Sequence, residues 1–460
     1  MKRAALLVFL VLTLLLAACS QGGDTDLTNY EPNPKGYRYS IYTDQYSTSS
    51  ICMTDLGNVR SDMLKQHYAE IEEKYSCTIE LNTTYKKTIV EELIAGNAAS
   101  VNNIDLVETS LDAVYSLYKG DYLTALQDIP NVDVSSEKWG LTAQKDALTF
   151  ANGKTYGFFG LWMGVPFPSV SNMLLYNGDL IDRNNVVDPL ESYEKDDWTW
   201  NTFRDVAMTV TNNVSQSQSQ STYAFATPNS KYFSFIDAAI YSNGGERIAS
   251  SSGSKLVSGY NSDNVVDALL WVRDLVLTDK VSYDLNMNAD NDKLDILALT
   301  NFNTVFLATS SHVGAIDASE YPLNALGLNL RWISFPAGRK VDPTFQTTAY
   351  GTKDRFCAVV TNGAKNVADS SIILNSIFDP MGDENENSWK EAINQRYFSS
   401  DDYFENYVDL LSKSKNDDSM IFYTINPSIN EVLAGVVSGQ KSGIQAVQEI
   451  ESVVNSLLSE

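Results

Sequence analysis

Histidine is the scarcest reactive side chain here. Only His67 and His312 occur in 460 residues, too few for a multi-histidine metal site and a poor basis for a histidine-centred triad. No Gly-x-Ser-x-Gly, phosphate-binding loop or His-Glu-x-x-His is present. Carboxylates are abundant, with 58 Asp and Glu, and a glycosidase needs only a pair of them. A carboxylate-pair glycosidase therefore stands as an alternative. One acidic run, Asp284, Asn286, Asn288, Asp290, Asp292 and Asp295, has the periodicity of a calcium loop. Ala289, however, occupies the position that needs glycine, and Asp295 replaces the bidentate Glu, so a solvated loop is expected and no metal. What remains is binding chemistry: flat rings to stack on, and planar polar side chains that form paired hydrogen bonds. The chain carries 7 Trp, 25 Tyr and 18 Phe. Trp162, in Gly160-Leu161-Trp162-Met163-Gly164, lies among glycines and off any helical period, a placement suited to lining a cleft. Tyr42, Asp44 and Tyr46 follow a strand, and open α/β sheets bind ligands beyond the carboxyl ends of their strands. Asn243 and Glu246 flank the Gly244-Gly245 turn.

The net charge of −25 repels nucleic acid and anionic lipid and is comfortable with a neutral ligand. Met1-Lys2-Arg3 is a basic head, Ala4 to Leu16 is uncharged and too short to span a bilayer, and small residues follow. That order is a secretory signal. Leu16-Ala17-Ala18-Cys19 resembles the bacterial lipobox, whose cysteine becomes a lipidated N-terminus. Residues 1–18 are then a signal peptide and 19–35 a polar tether, with the lipid on Cys19 as the only membrane anchor. Roughly 440 residues remain, enough for two or three domains. Cys52, Cys77 and Cys357 are an odd number, so at most one disulfide forms, with Cys52–Cys77 the nearest pair. Three buried thiols are the expectation.

The elements that must hold these candidates alternate. A strand is predicted at residues 37–42, a helix at 64–75, a strand at 78–81, a helix at 87–95 and a strand at 104–107, the signature of a parallel sheet covered on both faces. Further strands are predicted at 173–177, 303–307, 330–333 and 355–360. Helices are predicted to start at Trp200 behind a Thr199 cap, and to span 265–277, 367–377 and 443–458. Trp198, Trp200 and Trp271 fall at or inside helices and read as core. Ser215 to Ser221 reads as a polar loop.

Six segments stand in one order: Gly153-Lys154-Thr155-Tyr156-Gly157; Leu174-Leu175-Tyr176-Asn177-Gly178-Asp179; Asp188-Pro189 followed by Trp198-Thr199-Trp200-Asn201-Thr202-Phe203; Ser242-Asn243-Gly244-Gly245; Arg331-Trp332-Ile333-Ser334-Phe335-Pro336; and Ala364-Lys365-Asn366. Together they resemble family 1 of the extracellular solute-binding proteins, which serve carbohydrate ABC importers and include the maltose-binding proteins. The resemblance implies an α/β fold of two hinged lobes with a ligand cleft between them. Lobe 1 would comprise residues 36–158 and about 352–395, and lobe 2 about 159–351 and 396–460, with crossings near residues 158–164 and 349–356. It implies a carbohydrate ligand, permease subunits as partners, a monomer, and neither cofactor nor catalysis. Tyr232 lies where maltose-binding relatives place a stacking aromatic, Tyr350 lies at the second crossing, and His312 stands where those relatives carry a Trp. A non-sugar solute or a peptide is the alternative ligand.

Overall fold

A computed structural model describes residues 31–43, 51–55, 57–82, 103–150, 152–163, 172–217, 222–226, 234–250, 256–283, 299, 301, 303–308, 328–345, 349–350, 356–397, 401–413, 415–416 and 426–458. The first sheet begins with β1 (Arg38–Thr43), followed by α1 (Val59–Tyr75) and β2 (Thr78–Asn82), which pairs in parallel with β1. Helix α1 starts before its apolar period because Asn58 and Ser61 cap each other reciprocally, the Ser61 N–H donating to Asn58 Oδ1 at 2.9 Å. It stops at Ser76, whose φ of 51° is left-handed. Strand β3 (Leu106–Ser110) pairs in parallel with the other edge of β1 and runs directly into α2 (Leu111–Lys119); α3 (Thr142–Ala147) follows. The helix predicted at residues 87–95 lies outside the described residues.

Strand β3 begins two residues later than its apolar pattern suggests, although Asp105 already bonds to both neighbours, its N–H donating to Ser40 O at 3.1 Å and its carbonyl accepting from the Thr361 N–H at 3.2 Å. Its buried carboxylate accepts from the Ser40 N–H at 2.8 Å and from the Tyr37 hydroxyl at 2.6 Å. Burial pushes this carboxyl up to about 6, against the opposing effect of the Tyr37 and Ser40 hydrogen bonds. An unfolded Asp titrates near 3.9, so between those values the folded chain holds a proton that the unfolded chain releases. This contribution is fully present below pH ~4 and is lost as pH rises through ~6. Relative to Asp105→Asn, the wild type should gain roughly 2 kcal/mol of stability between pH 7 and pH 4, measurable by urea melts of both proteins at each pH.

The second sheet starts at β4 (Met173–Asn177). Helices α4 (Gly178–Arg183), α5 (Pro189–Glu194) and α6 (Trp200–Ser217) lead to β5 (Tyr223–Ala226), then α7 (Ser234–Ser242). Helix α6 takes in the first three residues of the Ser-Gln run, which therefore is not a loop throughout. A small hairpin, β6 (Ile248–Ser250) and β7 (Leu256–Ser258), precedes α8 (Asp263–Leu277), β8 (Ser282–Tyr283), β9 (Thr304–Ala308) and β10 (Leu330–Ser334). The strand order is β10-β4-β9-β5-β8. After β11 (Ala349–Tyr350) the chain returns to the first sheet as β12 (Phe356–Val360), antiparallel to β3, giving the order β12-β3-β1-β2. Asn366 caps α9 (Val367–Ile377), accepting from the Ala368 and Asp369 N–H groups. The chain then leaves again into α10 (Ser388–Tyr397), α11 (Asp401–Ser412), β13 (Lys415–Asn416), α12 (Asn426–Val437) and α13 (Gly443–Leu458).

Each sheet is covered on both faces. On the first, Tyr39, Ile41 and Leu106 pack against α1 and α9, while Val107 and Val359 pack against α2. On the second, Tyr176, Phe225 and Phe306 face α6, α7, α8 and α12. Its other face, through Met173, Leu175 and Trp332, meets Trp389 of α10 and Tyr407 of α11. Leu141 and Leu161 join that last cluster from the first lobe's side, so it forms the joint. Trp198, Trp200 and Trp271 are core, as read from the sequence. Cys52, Cys77 and Cys357 are buried free thiols.

Candidate functional site

The two sheets present matching edges to the segments that join them. In the first, β1, β2 and β3 are parallel, and β12 enters at their carboxyl ends, Phe356 opposite Ser110. In the second, β5, β8 and β9 are parallel, and β4 enters at their carboxyl ends, Leu174 opposite Ala308. Phe158, at the start of the first crossing, and Ala358 of β12 exchange both backbone hydrogen bonds, each at 2.9 Å. Carboxyl-end edges are where such sheets bind ligands, which makes the ends of these strands the candidate site.

The first crossing is packed tightly. Trp139, Phe158 and Phe378 meet edge-on at 4.9 and 4.8 Å. Gly160 passes so close to Phe378 that an added Cβ would fall 2.3 Å from its ring. A short turn, Leu161–Met163, then presents Trp162, which is half-buried. Lys138 lies against this ring, its ammonium 5.7 Å from the centroid. At the edge of the first sheet Tyr42 is half-buried and packs beside Val107. Its neighbour Thr43 donates to Glu108 Oε2 at 3.1 Å, and both are buried. Glu108 was not singled out from the sequence, although an acid inside the apolar run Leu106-Val107-Glu108 was a legible signal. Lys138 had no such signal.

Asn243 is fully buried with its amide engaged inside the fold. Its Nδ2 donates to Asn264 O at 2.8 Å and to Asp267 Oδ2 at 3.3 Å, and its Oδ1 accepts from the Lys340 N–H at 3.0 Å. Glu246, two residues beyond Gly244, is exposed. Tyr350 lies in β11, opposite Asn416 of β13. Asp44, Tyr46, Tyr232, His312, Cys19 and the run from Asp284 to Asp290 and Asp295 lie outside the described residues. Among those described, no group of three or more acidic, His or Cys side chains could hold a metal.

Four of the six segments meet in two structural nodes of the second lobe. In one, Asp188 caps α5 through the Leu190 N–H and accepts from the Tyr176 hydroxyl at 2.7 Å and from Arg331. Arg331 also pairs with Asp182 at 2.8 Å, and passes so close to Gly178 that a Cβ there would fall 2.4 Å from its Nε and push the guanidinium aside. In the other, the Trp198 indole N–H donates to Ser334 O at 2.9 Å, Trp200 Nε1 to Ser242 Oγ at 3.2 Å, and the Gly338 N–H to Ser242 O at 2.8 Å.

A crevice of about 150 Å³ at the joint, lined by Glu137, Leu141, Lys145, Trp389 and Lys390 among others, is smaller than the ~300–1,000 Å³ of typical ligand pockets. It does not serve as the main site.

Solved structures with the same fold cover nearly the whole chain. The cyclic alpha-maltosyl-1,6-maltose binding protein of Arthrobacter globiformis aligns over 92% of this chain and 99% of its own, at 15% identity and a TM-score of 0.61. The sugar-binding protein MalE of Xanthomonas citri aligns over 92% and 97%, also at 15% and 0.61. UspC of M. tuberculosis aligns over 91% and 100%, at 12% and 0.62. No curated protein matches the chain significantly in sequence. The family model described as bacterial extracellular solute-binding protein matches residues 66–371. With a strand entering each sheet at its carboxyl-end edge, and that match spanning most of its length, the chain belongs to the bacterial extracellular solute-binding proteins.

Proposed function

We propose that this solute-binding protein captures a sugar or oligosaccharide for an ABC importer, held at the outer face of the cytoplasmic membrane by lipid on Cys19. The observation that carries the reading is that β12 and β4 each enter their sheet at its carboxyl-end edge, with Trp162 half-buried just past the first sheet. A sugar ring offers apolar C–H faces for an indole and a rim of hydroxyls for planar polar groups. Tyr42, Asp44, Tyr46, Tyr232, Glu246, His312 and Tyr350 are the proposed further contributors. Relatives of the same fold bind maltodextrin-type saccharides, which sets the first probes. Contacts made to both lobes favour the closed form through their differential affinity for it, and the closed form is what permease subunits would engage. The protein works as a monomer, with no cofactor and no catalytic step.

A thermal-shift panel of linear and cyclic maltooligosaccharides tests this. A ligand at 100 times its Kd adds about 2.7 kcal/mol, so one member should raise the melting temperature by several degrees and be recovered chemically intact. Hydrolysed saccharide would favour the carboxylate-pair glycosidase instead. A shift with amino acids or peptides, and with no sugar, would move the ligand out of the carbohydrate class.

A further inference from the structure

We propose that Lys138 is a positioning residue of the binding cleft, pinning the Trp162 ring to the first lobe. The side chain of Lys138 is only 8% exposed, and its ammonium donates to Asp379 Oδ1 at 2.7 Å. It lies 5.3 Å from the ring centroid of Trp139 and 5.7 Å from that of Trp162. Both are within the ~6 Å over which a cation is drawn to an aromatic face. A lysine this buried is held by specific partners or not at all. Its partners join three parts of the molecule. Trp139 belongs to the first lobe's core, Trp162 to the first crossing, and Asp379 to the end of α9, where the chain departs for α10.

The crossing is fixed to the first lobe by more than this amine. The Phe159 N–H donates to Trp139 O at 3.3 Å, and Gly160 rests on Phe378, the residue before Asp379. Lys138 extends that attachment to the indole itself. The ring also packs against the joint cluster, which holds Met173, Trp332 and Trp389, so the amine fixes it at the seam between the lobes, where it meets a ligand as a preset surface. Holding a ring in its bound orientation lowers the cost of ordering it on binding.

The ligand half of this inference rests on the saccharide reading, so the test has a ligand-free half as well. Full-length protein labelled with 5-fluorotryptophan gives a ¹⁹F resonance for Trp162, assigned by its loss in Trp162→Phe. Lys138→Met and Asp379→Asn should each shift or broaden that resonance, while Lys138→Arg, which keeps the charge, should largely restore it. With maltotetraose as probe, Lys138→Met and Asp379→Asn should each weaken binding about tenfold, a loss of the order of one desolvated cation–ring contact. The double variant should be no worse than the weaker single, because the two residues act through one ring. An unmoved Trp162 resonance in Lys138→Met overturns the inference, as does a moved resonance with unchanged maltotetraose affinity. If the wild type binds no saccharide, the functional reading fails, and the resonance alone decides whether Lys138 holds the ring.

Discussion

Arg331→Met should cost about 3–5 kcal/mol, the range for removing one partner from a buried ion pair. Arg331 is 11% exposed and stands between Asp188, 15% exposed, and the more open Asp182. Methionine fills much of the stem's volume, so the loss is electrostatic more than steric. It leaves the Asp188 carboxylate buried without this cation, beside the Tyr176 hydroxyl and the Leu190 N–H. Asp188→Asn in the Arg331→Met background removes the stranded charge while keeping an acceptor for the cap, and should recover part of the loss. The double-mutant cycle in urea gives the coupling directly. Equal and additive effects of the two changes would show that the node is not a unit.

Trp271→Ala is expected to cost a similar 3–5 kcal/mol, the usual range for deleting a buried tryptophan. The ring is 2% exposed and stacks on Trp200 at 4.2 Å with planes 6° apart. Phe203, Phe235 and Phe335 crowd the same indole, at 5.8, 6.2 and 6.3 Å. Truncation leaves a void that the rigid neighbours fill poorly, and removes ring pairings worth about 0.5–1.5 kcal/mol beyond area. Two stacked indoles should couple in near-UV circular dichroism, so the variant should lose that band as well as stability. A variant as stable as the wild type would mean that the second lobe's core repacks freely.

Elements with a strong local pattern could be read from the sequence. Residues 173–177, 367–377 and 443–458 match β4, α9 and α13 to the residue, because an apolar period and flanking caps or breakers agree there. Helix α2 was not anticipated, since it follows β3 without a turn residue to mark the change of period. The predicted start of β3 falls two residues early, at a boundary where Asp105 adds a side-chain bond to Ser40 on top of its backbone bonds.

The site was less legible. A family motif records what a fold cannot do without, and here that includes Gly178 beside Arg331 and Asn243 beneath Gly338. Such residues anchor the second lobe. Asn243 is drawn from those motifs, and its amide is spent on the turn. Trp162 came from its glycine surroundings, and one of those glycines, Gly160, is needed for the close approach to Phe378. Lys138 and Glu108 depend on contacts across more than sixty residues of chain, Glu108 with Thr43 and Lys138 with Asp379. No local pattern encodes such pairs, although the acid of Leu106-Val107-Glu108 does stand out from its apolar neighbours.

The central claim is that two hinged lobes close on a saccharide at the crossings. Small-angle X-ray scattering of the purified protein, titrated with the saccharide that gives the largest thermal shift, tests it most directly. The radius of gyration should fall saturably, with a midpoint matching that of the thermal-shift titration. An unchanged radius at full occupancy would contradict it.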